Sequence, residues 1–161
     1  MSMQENGDGA MNESGGNRDF VTMTIHGQLF GIPVLTVQDV LGPQKITRIP
    51  LASPEVAGAL NLRGRIVTAI DVRKRLGLPT AETGAKSMSV VVDHGGELYS
   101  LIIDSVGEVL SLPADSFERN PATLDPAWRE VSGGVYRLQG KLLVVLDVAR
   151  LLSFNKRAEA A

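Results

Sequence analysis

The chain contains no cysteine, which excludes disulfides, thiol nucleophiles and thiolate metal sites. Its only aromatics are four Phe, two Tyr and one Trp among 161 residues. So few rings give no platform for stacking bases. No apolar run approaches the roughly 18 residues of a membrane span. Residues 1–17 have neither the basic start nor the apolar stretch of a signal peptide, so a cytosolic protein is expected. The formal net charge is only −2, too small to call for nucleic acid or anionic lipid. There is no G-x-x-x-x-G-K-S/T or G-x-G-x-x-G phosphate loop and no G-x-S-x-G nucleophile turn.

What the chain does have is Val, Leu and Ile, 44 in all, and a duplication. Residues 26–41 read HGQLFGIPVLTVQDVL and residues 95–110 read GGELYSLIIDSVGEVL. Gly27/Gly96, Leu29/Leu98, Val37/Val106, Val40/Val109 and Leu41/Leu110 coincide. A second block, LRGRIVTAIDV from Leu62, is echoed by LQGKLLVVLDV from Leu138. What both halves carry is expected to be scaffold; what one half carries alone is the better candidate for function. Charge separates the halves as well. Residues 18–78 hold 8 Lys/Arg against 4 Asp/Glu, and residues 79–154 hold 6 against 10. Opposite polarity suits two different partner surfaces, or head-to-tail association of copies.

Alternation at a period of two marks strands at 20–25, 29–35, 36–41, 59–62 and 65–70, with a short one at 45–49. Their echoes fall at 89–93, 98–103, 106–110, 135–138 and 142–146. Pro33 cannot donate to a ladder, so its strand is expected at an edge or a bulge. Ser53-Pro54 and Asp125-Pro126 read as helix starts, with Gly58 ending the first helix. Asp71 and Asp147 read as N-caps of two further short helices. Gly95-Gly96 and Gly133-Gly134 read as turns. About five strands in each half favour small closed barrels, since closure removes exposed edges. The expected fold is mainly β: two pseudo-symmetric, SH3-like five-stranded barrels with short helices, sharing a core. The expected division is a disordered tail over 1–17, a first barrel over about 18–80, a second over about 86–154, and a tail over 155–161.

Three chemistries merit testing on the residues. Asp71 and Asp147 match across the repeat, as a carboxylate dyad would. Each, however, ends a strand and precedes a helix, and neither is followed by Thr/Ser-Gly, so capping is the better reading. His26 and His94 lie beside turn glycines with no acidic cluster at ligand spacing, and read as turn residues rather than metal ligands. The third is the hairpin turn. Half one reads Asn61-Leu62-Arg63-Gly64-Arg65 and half two Arg137-Leu138-Gln139-Gly140-Lys141. Leucine, glycine and the following cation repeat; Asn61 and Arg63 do not. Arg63 is then a surface arginine, a bridge between the halves, or a recognition group whose planar fork takes a carboxylate or carbonyls.

The block GALNLRGRIVTAIDVR from Gly58, with FGIPVLTVQDV from Phe30, ITRIP from Ile46 and IIDSVGEVL from Ile102, resembles the signature of the CheW family. The resemblance runs in order from about Phe20 to Leu152. It implies a non-enzymatic scaffold or adaptor without cofactor or metal. Such a protein couples the helical tips of methyl-accepting chemoreceptors to the regulatory domain of a CheA-type histidine kinase in chemotaxis signalling. Other CheW copies in rings are further partners, and the implied location is cytoplasmic, recruited to membrane receptor arrays without membrane insertion. Matching the family's receptor-binding groove are Val37, Asp39, Arg63, Val106 and Val109. Gly58, Asn61 and Arg65 match signature or partner-binding positions. The chain departs from the family at Pro33, where an acidic residue is common, and at Asp39, where glutamate is common. The alternative from another class is a small-barrel nucleic-acid-binding protein, which low aromatic content and charge disfavour; an aspartyl hydrolase ranks below it.

Overall fold

The computed structural model describes residues 16–82 and 84–154. The expected tails, 1–17 and 155–161, lie outside these residues except for Gly16 and Asn17. Ten strands follow one another as β1 (Asn17–Ile25), β2 (Gln28–Pro33), β3 (Val37–Leu41), β4 (Val56–Leu62), β5 (Arg65–Asp71), β6 (Met88–His94), β7 (Glu97–Ile103), β8 (Ser105–Pro113), β9 (Ser132–Leu138) and β10 (Lys141–Leu146). Among the described residues three short α-helices accompany them, α1 (Val72–Arg75), α2 (Pro126–Val131) and α3 (Val148–Leu151), with single 3-10 turns at Val34–Thr36 and Ala114–Ser116. The strands form two five-stranded sheets, ordered β8-β1-β2-β10-β9 and β3-β6-β7-β5-β4.

That order corrects the expected division at 80/86. Each sheet draws strands from both halves: the first hairpin, β1–β2, joins β8, β9 and β10, and the corresponding hairpin β6–β7 joins β3, β4 and β5. The link is a parallel pairing in both cases, Leu143–Val145 beside Leu29–Gly31 and Thr68–Asp71 beside Tyr99–Ile102. Such an exchange makes each barrel depend on the whole duplication, which suits halves too small to bury a stable core alone.

Each sheet closes through one bridge. Thr47, after β3, exchanges backbone hydrogen bonds with Ala59 of β4, both 2.8 Å; Glu118, after β8, does so with Val135 of β9, both 2.9 Å. The residue before each bridge is glycine. Gly58 has φ +150° and Gly134 φ +154°, a region essentially reserved for glycine. A Cβ on Gly58 would lie 2.2 Å from the Thr47 carbonyl oxygen; one on Gly134 would lie 2.2 Å from the Phe117 ring and 2.7 Å from the Glu118 carbonyl oxygen. These two closures explain three differences from expectation. The 45–49 segment is reduced to its single bridge at Thr47. Ser53-Pro54 begins a turn rather than a helix, because the Glu55 carbonyl accepts from Asp71 N–H at 2.8 Å as an extension of the β4–β5 pairing. Gly133-Gly134 lies inside β9, not in a turn.

Alternation along the strands divides the apolar residues among three clusters. Phe20, Tyr136, Leu143 and Val145 fill the first barrel, and Leu60, Val67, Ala69, Val91 and Leu98 the second. The largest cluster lies between them. It takes Met23, Ile25, Phe30, Ile32, Val144 and Leu146 from one sheet and Ile70, Val90, Val92, Leu101 and Ile103 from the other. The shared core is therefore mainly aliphatic, as the composition implies, with Phe30 set edge-on to Trp128 and Phe154 beside them. Pro33 is at neither an edge nor a bulge: β2 is interior, and Pro33 is its last residue, opposite Phe20 of β1 and beyond the Leu29–Gly31 ladder with β10.

The caps follow expectation. Asp71, Asp125 and Asp147 accept from the backbone N–H of Lys74, Ala127 and Arg150 at 3.2, 2.8 and 3.1 Å. Two arginines then tie the halves together. Arg73 donates through Nε and Nη2 to both carboxylate oxygens of Asp104, 2.8 and 2.6 Å, and through Nη1 to the Pro79 carbonyl, 2.8 Å. Asp104 also accepts from His26 N–H at 2.9 Å. Arg75, its side chain only 5% exposed, donates to the Leu151 and Arg150 carbonyls at 2.7 and 3.0 Å, capping the C-terminus of α3 from the other half.

Candidate partner-binding site

Arg63 sits at the β4–β5 turn with φ +52°, followed by Gly64 at +85°. Two successive positive φ angles define the type I′ turn that matches strand twist. The turn is held from inside, since Asn61 Oδ1 accepts from Gly64 N–H at 2.9 Å. Asn61, expected as a partner-binding or signature residue, therefore has a structural task. Asp93 repeats it in the β6–β7 turn, accepting from Gly96 N–H at 3.2 Å.

The turn places Arg63 over β3. Its Nη2 meets Asp39 Oδ2 at 2.8 Å, while the arginine side chain stays 75% exposed. Asp39 Oδ1 accepts from Val40 N–H at 2.9 Å. The Arg63 hydrogen bond, then the Val40 N–H, hold the Asp39 carboxyl below its ordinary range. The pair is thus charged at neutral pH, oriented, and still open to a partner through the remaining guanidinium donors.

Two bulges shape the surroundings. The β3–β6 register slips between Val37 and Asp39, and the β1–β8 register slips between the pairings of Val106 and Val109. Bulges bend a strand and re-aim its side chains. Gly107 lies in the second, where a Cβ would approach Thr22 Oγ1 to 2.7 Å. Val37 and Val106 are half-buried and pack against the shared core from the two sheets. Val40 and Val109 are exposed, at 39% and 57%. Strand β6, the neighbour of β3, touches β8 across the seam. The bent strands β3 and β8 thus occupy the two sides of one seam.

The expected site residues now separate. Asp39 and Arg63 are in contact. Val37 and Val106 line the seam as packing residues, and Val109 is exposed on β8. Arg65 is exposed at the start of β5, next to Ile66, itself 70% exposed. Gly58 is buried and is a closure residue, matched by Gly134. Arg73 closes the signature block and Arg75 lies just beyond it; neither is among the expected site residues, although both break the repeat, with alanine and leucine at the equivalent Ala149 and Leu151. Asp71 and Asp147 are occupied as caps, which leaves no dyad. All seven aromatic side chains are buried or half-buried. Among the described residues no helix is long and apolar enough to cross a membrane.

Two interleaved five-stranded sheets from one duplication, with an exposed ion pair beside the seam, define a duplicated β scaffold. The chain belongs to the CheW family: residues 19–156 match the family described as CheW-like domain. It is 28% identical over 141 residues to the chemotaxis protein CheW of Klebsiella aerogenes, covering 88% of this chain and 85% of that protein. It is 22% identical over 145 residues to CheW of Rhizobium meliloti, covering 90% and 94%. Among solved structures it resembles the scaffolding protein TtCheW from Thermoanaerobacter tengcongensis, with TM-score 0.73, 27% identity, and coverage of 81% of this chain and 89% of that one. The protein is accordingly a CheW-family scaffold of the chemotaxis class.

Proposed function

We propose that this protein is a non-enzymatic cytoplasmic adaptor. It couples the helical tip of a methyl-accepting chemoreceptor to the regulatory domain of a CheA-type histidine kinase and is recruited to membrane receptor arrays. The observation that carries the receptor side is the Asp39–Arg63 pair. A guanidinium fixed by a turn and a carboxylate binds at low ordering cost. Beside it, Val40 and Val109 offer apolar surface for a helix laid along the seam. Val37, Val106 and Arg65 complete this surface. Family membership supports the kinase side.

Co-sedimentation tests the reading, using receptor-tip fragments displayed on vesicles, the purified kinase and this protein. The expected result is kinase in the pellet only when this protein is present, with kinase recruitment lost for Arg63→Ala. Kinase that sediments equally without the protein would exclude an adaptor role.

A further inference from the structure

The two barrels close in the same way, yet their interiors are filled unequally. The matched strands and bridges pair Phe20 with Ser89, Phe117 with Ile46, Tyr136 with Leu60, Leu143 with Val67 and Val145 with Ala69. At each of these inward positions the second barrel carries the smaller side chain. In the first barrel Tyr136 packs between two rings, 5.5 Å from Phe20 and 5.4 Å from Phe117 between centroids. Rings withdraw the most apolar surface from water and add edge contacts of their own. No aromatic side chain belongs to the second barrel's cluster.

One inward position reverses the trend. Gly31 of the first barrel lets its neighbours close in: a Cβ there would lie 3.0 Å from the Leu143 side chain and 3.4 Å from Phe20. The matching residue of the second barrel is Ser100, opposite Ala69 and Val91 on the strands either side. Its hydroxyl is buried and makes no hydrogen bond, which costs the desolvation of that group. Tyr136 also buries an unpartnered hydroxyl, but on a ring that returns far more apolar burial. The closures differ as well. Beside the Glu118–Val135 bridge, Asn120 Nδ2 donates to the Ser132 carbonyl at 3.1 Å and Ser132 Oγ donates to Asn120 Oδ1 at 2.7 Å. Ile49 and Val56 stand at the matching places beside Thr47–Ala59, and their side chains can make neither bond.

We propose that the second barrel opens locally at its Thr47–Ala59 closure while the first barrel stays shut. Regions with less buried apolar contact open at lower free energy than the molecule as a whole. Asp39 on β3 and Arg63 after β4 both belong to the sheet that opens. Resting on the function proposed above, a receptor tip that engages both residues favours the closed barrel and slows its opening.

Amide hydrogen exchange of the full chain, read residue by residue by NMR, tests this, because the two bridges form a matched pair. The Thr47 and Ala59 amides donate at 2.8 Å and those of Glu118 and Val135 at 2.9 Å. After correction for local sequence, the first two should exchange about tenfold or more faster than the second two. Ser100→Ala, which removes the unpartnered hydroxyl, should slow Thr47 and Ala59 about threefold or more and leave Glu118 and Val135 unchanged. A bound receptor-tip fragment should slow the same two amides. Equal protection of the two bridges would overturn the proposal. So would Ser100→Ala acting alike on all four amides, or hastening the second barrel. A fragment that binds without slowing Thr47 and Ala59 would refute the coupling of opening to the partner. Failure of the fragment to bind would contradict the adaptor reading alone, since the barrels are compared in the free protein.

Discussion

Replacing Gly58 by alanine separates scaffold from binding surface. The new methyl would sit 2.2 Å from the Thr47 carbonyl oxygen and 2.6 Å from the Ile46 side chain. The oxygen is backbone and accepts the Ala59 N–H that closes the barrel, so the clash cannot be relieved by a rotamer change. Two costs follow. An L-residue held near φ +150° carries about 1–3 kcal/mol of strain. Loss of the two bridge hydrogen bonds adds about 0.5–1.5 kcal/mol each. The total is about 2–6 kcal/mol, a large share of the 5–15 kcal/mol that holds a typical domain folded. Gly134→Ala should be milder, because its nearest obstacle is the Phe117 ring and its backbone contact is 2.7 Å. Urea unfolding followed by circular dichroism measures both. Gly58→Ala with unaltered stability but abolished partner binding would show that this glycine is a contact residue and that the closure argument is wrong.

Other substitutions test the ties between the halves. Asp104→Asn should destabilise by about 1–3 kcal/mol, through loss of a charge-assisted pair. Arg73 chiefly, aided by the His26 N–H, lowers the Asp104 pKa in the folded protein. Its stabilisation is therefore complete above the ordinary carboxylate range and disappears as pH falls through the depressed folded value. Melting temperatures measured from pH 7 downward should fall for the native protein over that window, with a shallower fall in Asp104→Asn. Arg75→Ala should cost about 1–3 kcal/mol, because it uncaps α3 and leaves the Leu151 and Arg150 carbonyls without their buried donor; differential scanning calorimetry reads this directly. Asn61→Ala should cost about 0.5–1.5 kcal/mol by freeing the Gly64 N–H, with receptor affinity falling less than for Arg63→Ala in the same titration.

The strands, the caps and the aliphatic core were legible because each depends on local pattern: alternation, an Asp before a helix, a glycine at a turn. The exchange of hairpins between barrels was not, because β1–β2 has the same local character whichever sheet it joins. Closure at Thr47 and Glu118 involves one residue each, too short for any periodic signal, and it turned an expected helix and an expected strand into a turn and a bridge. The repeat worked as a control in one direction. Gly58 and Gly134 recur and are scaffold. Its converse is weaker: Arg63 breaks the repeat and stands exposed, but Arg73 and Arg75 break it too and hold the halves together. Residues that differ between the halves can serve the junction as well as the partner surface, as Arg73 and Arg75 do. Burial distinguishes the two cases, and burial is not written in the sequence.

The central claim is that an intact scaffold presents Arg63 to link two partners. Kinase activity reconstituted from receptor-containing membranes, the kinase and this protein measures it most directly. The account predicts that the unaltered protein brings the kinase under receptor control. Arg63→Ala, folded to the same melting temperature, should leave the kinase at its unstimulated rate. Receptor control by Arg63→Ala equal to that of the unaltered protein would contradict it.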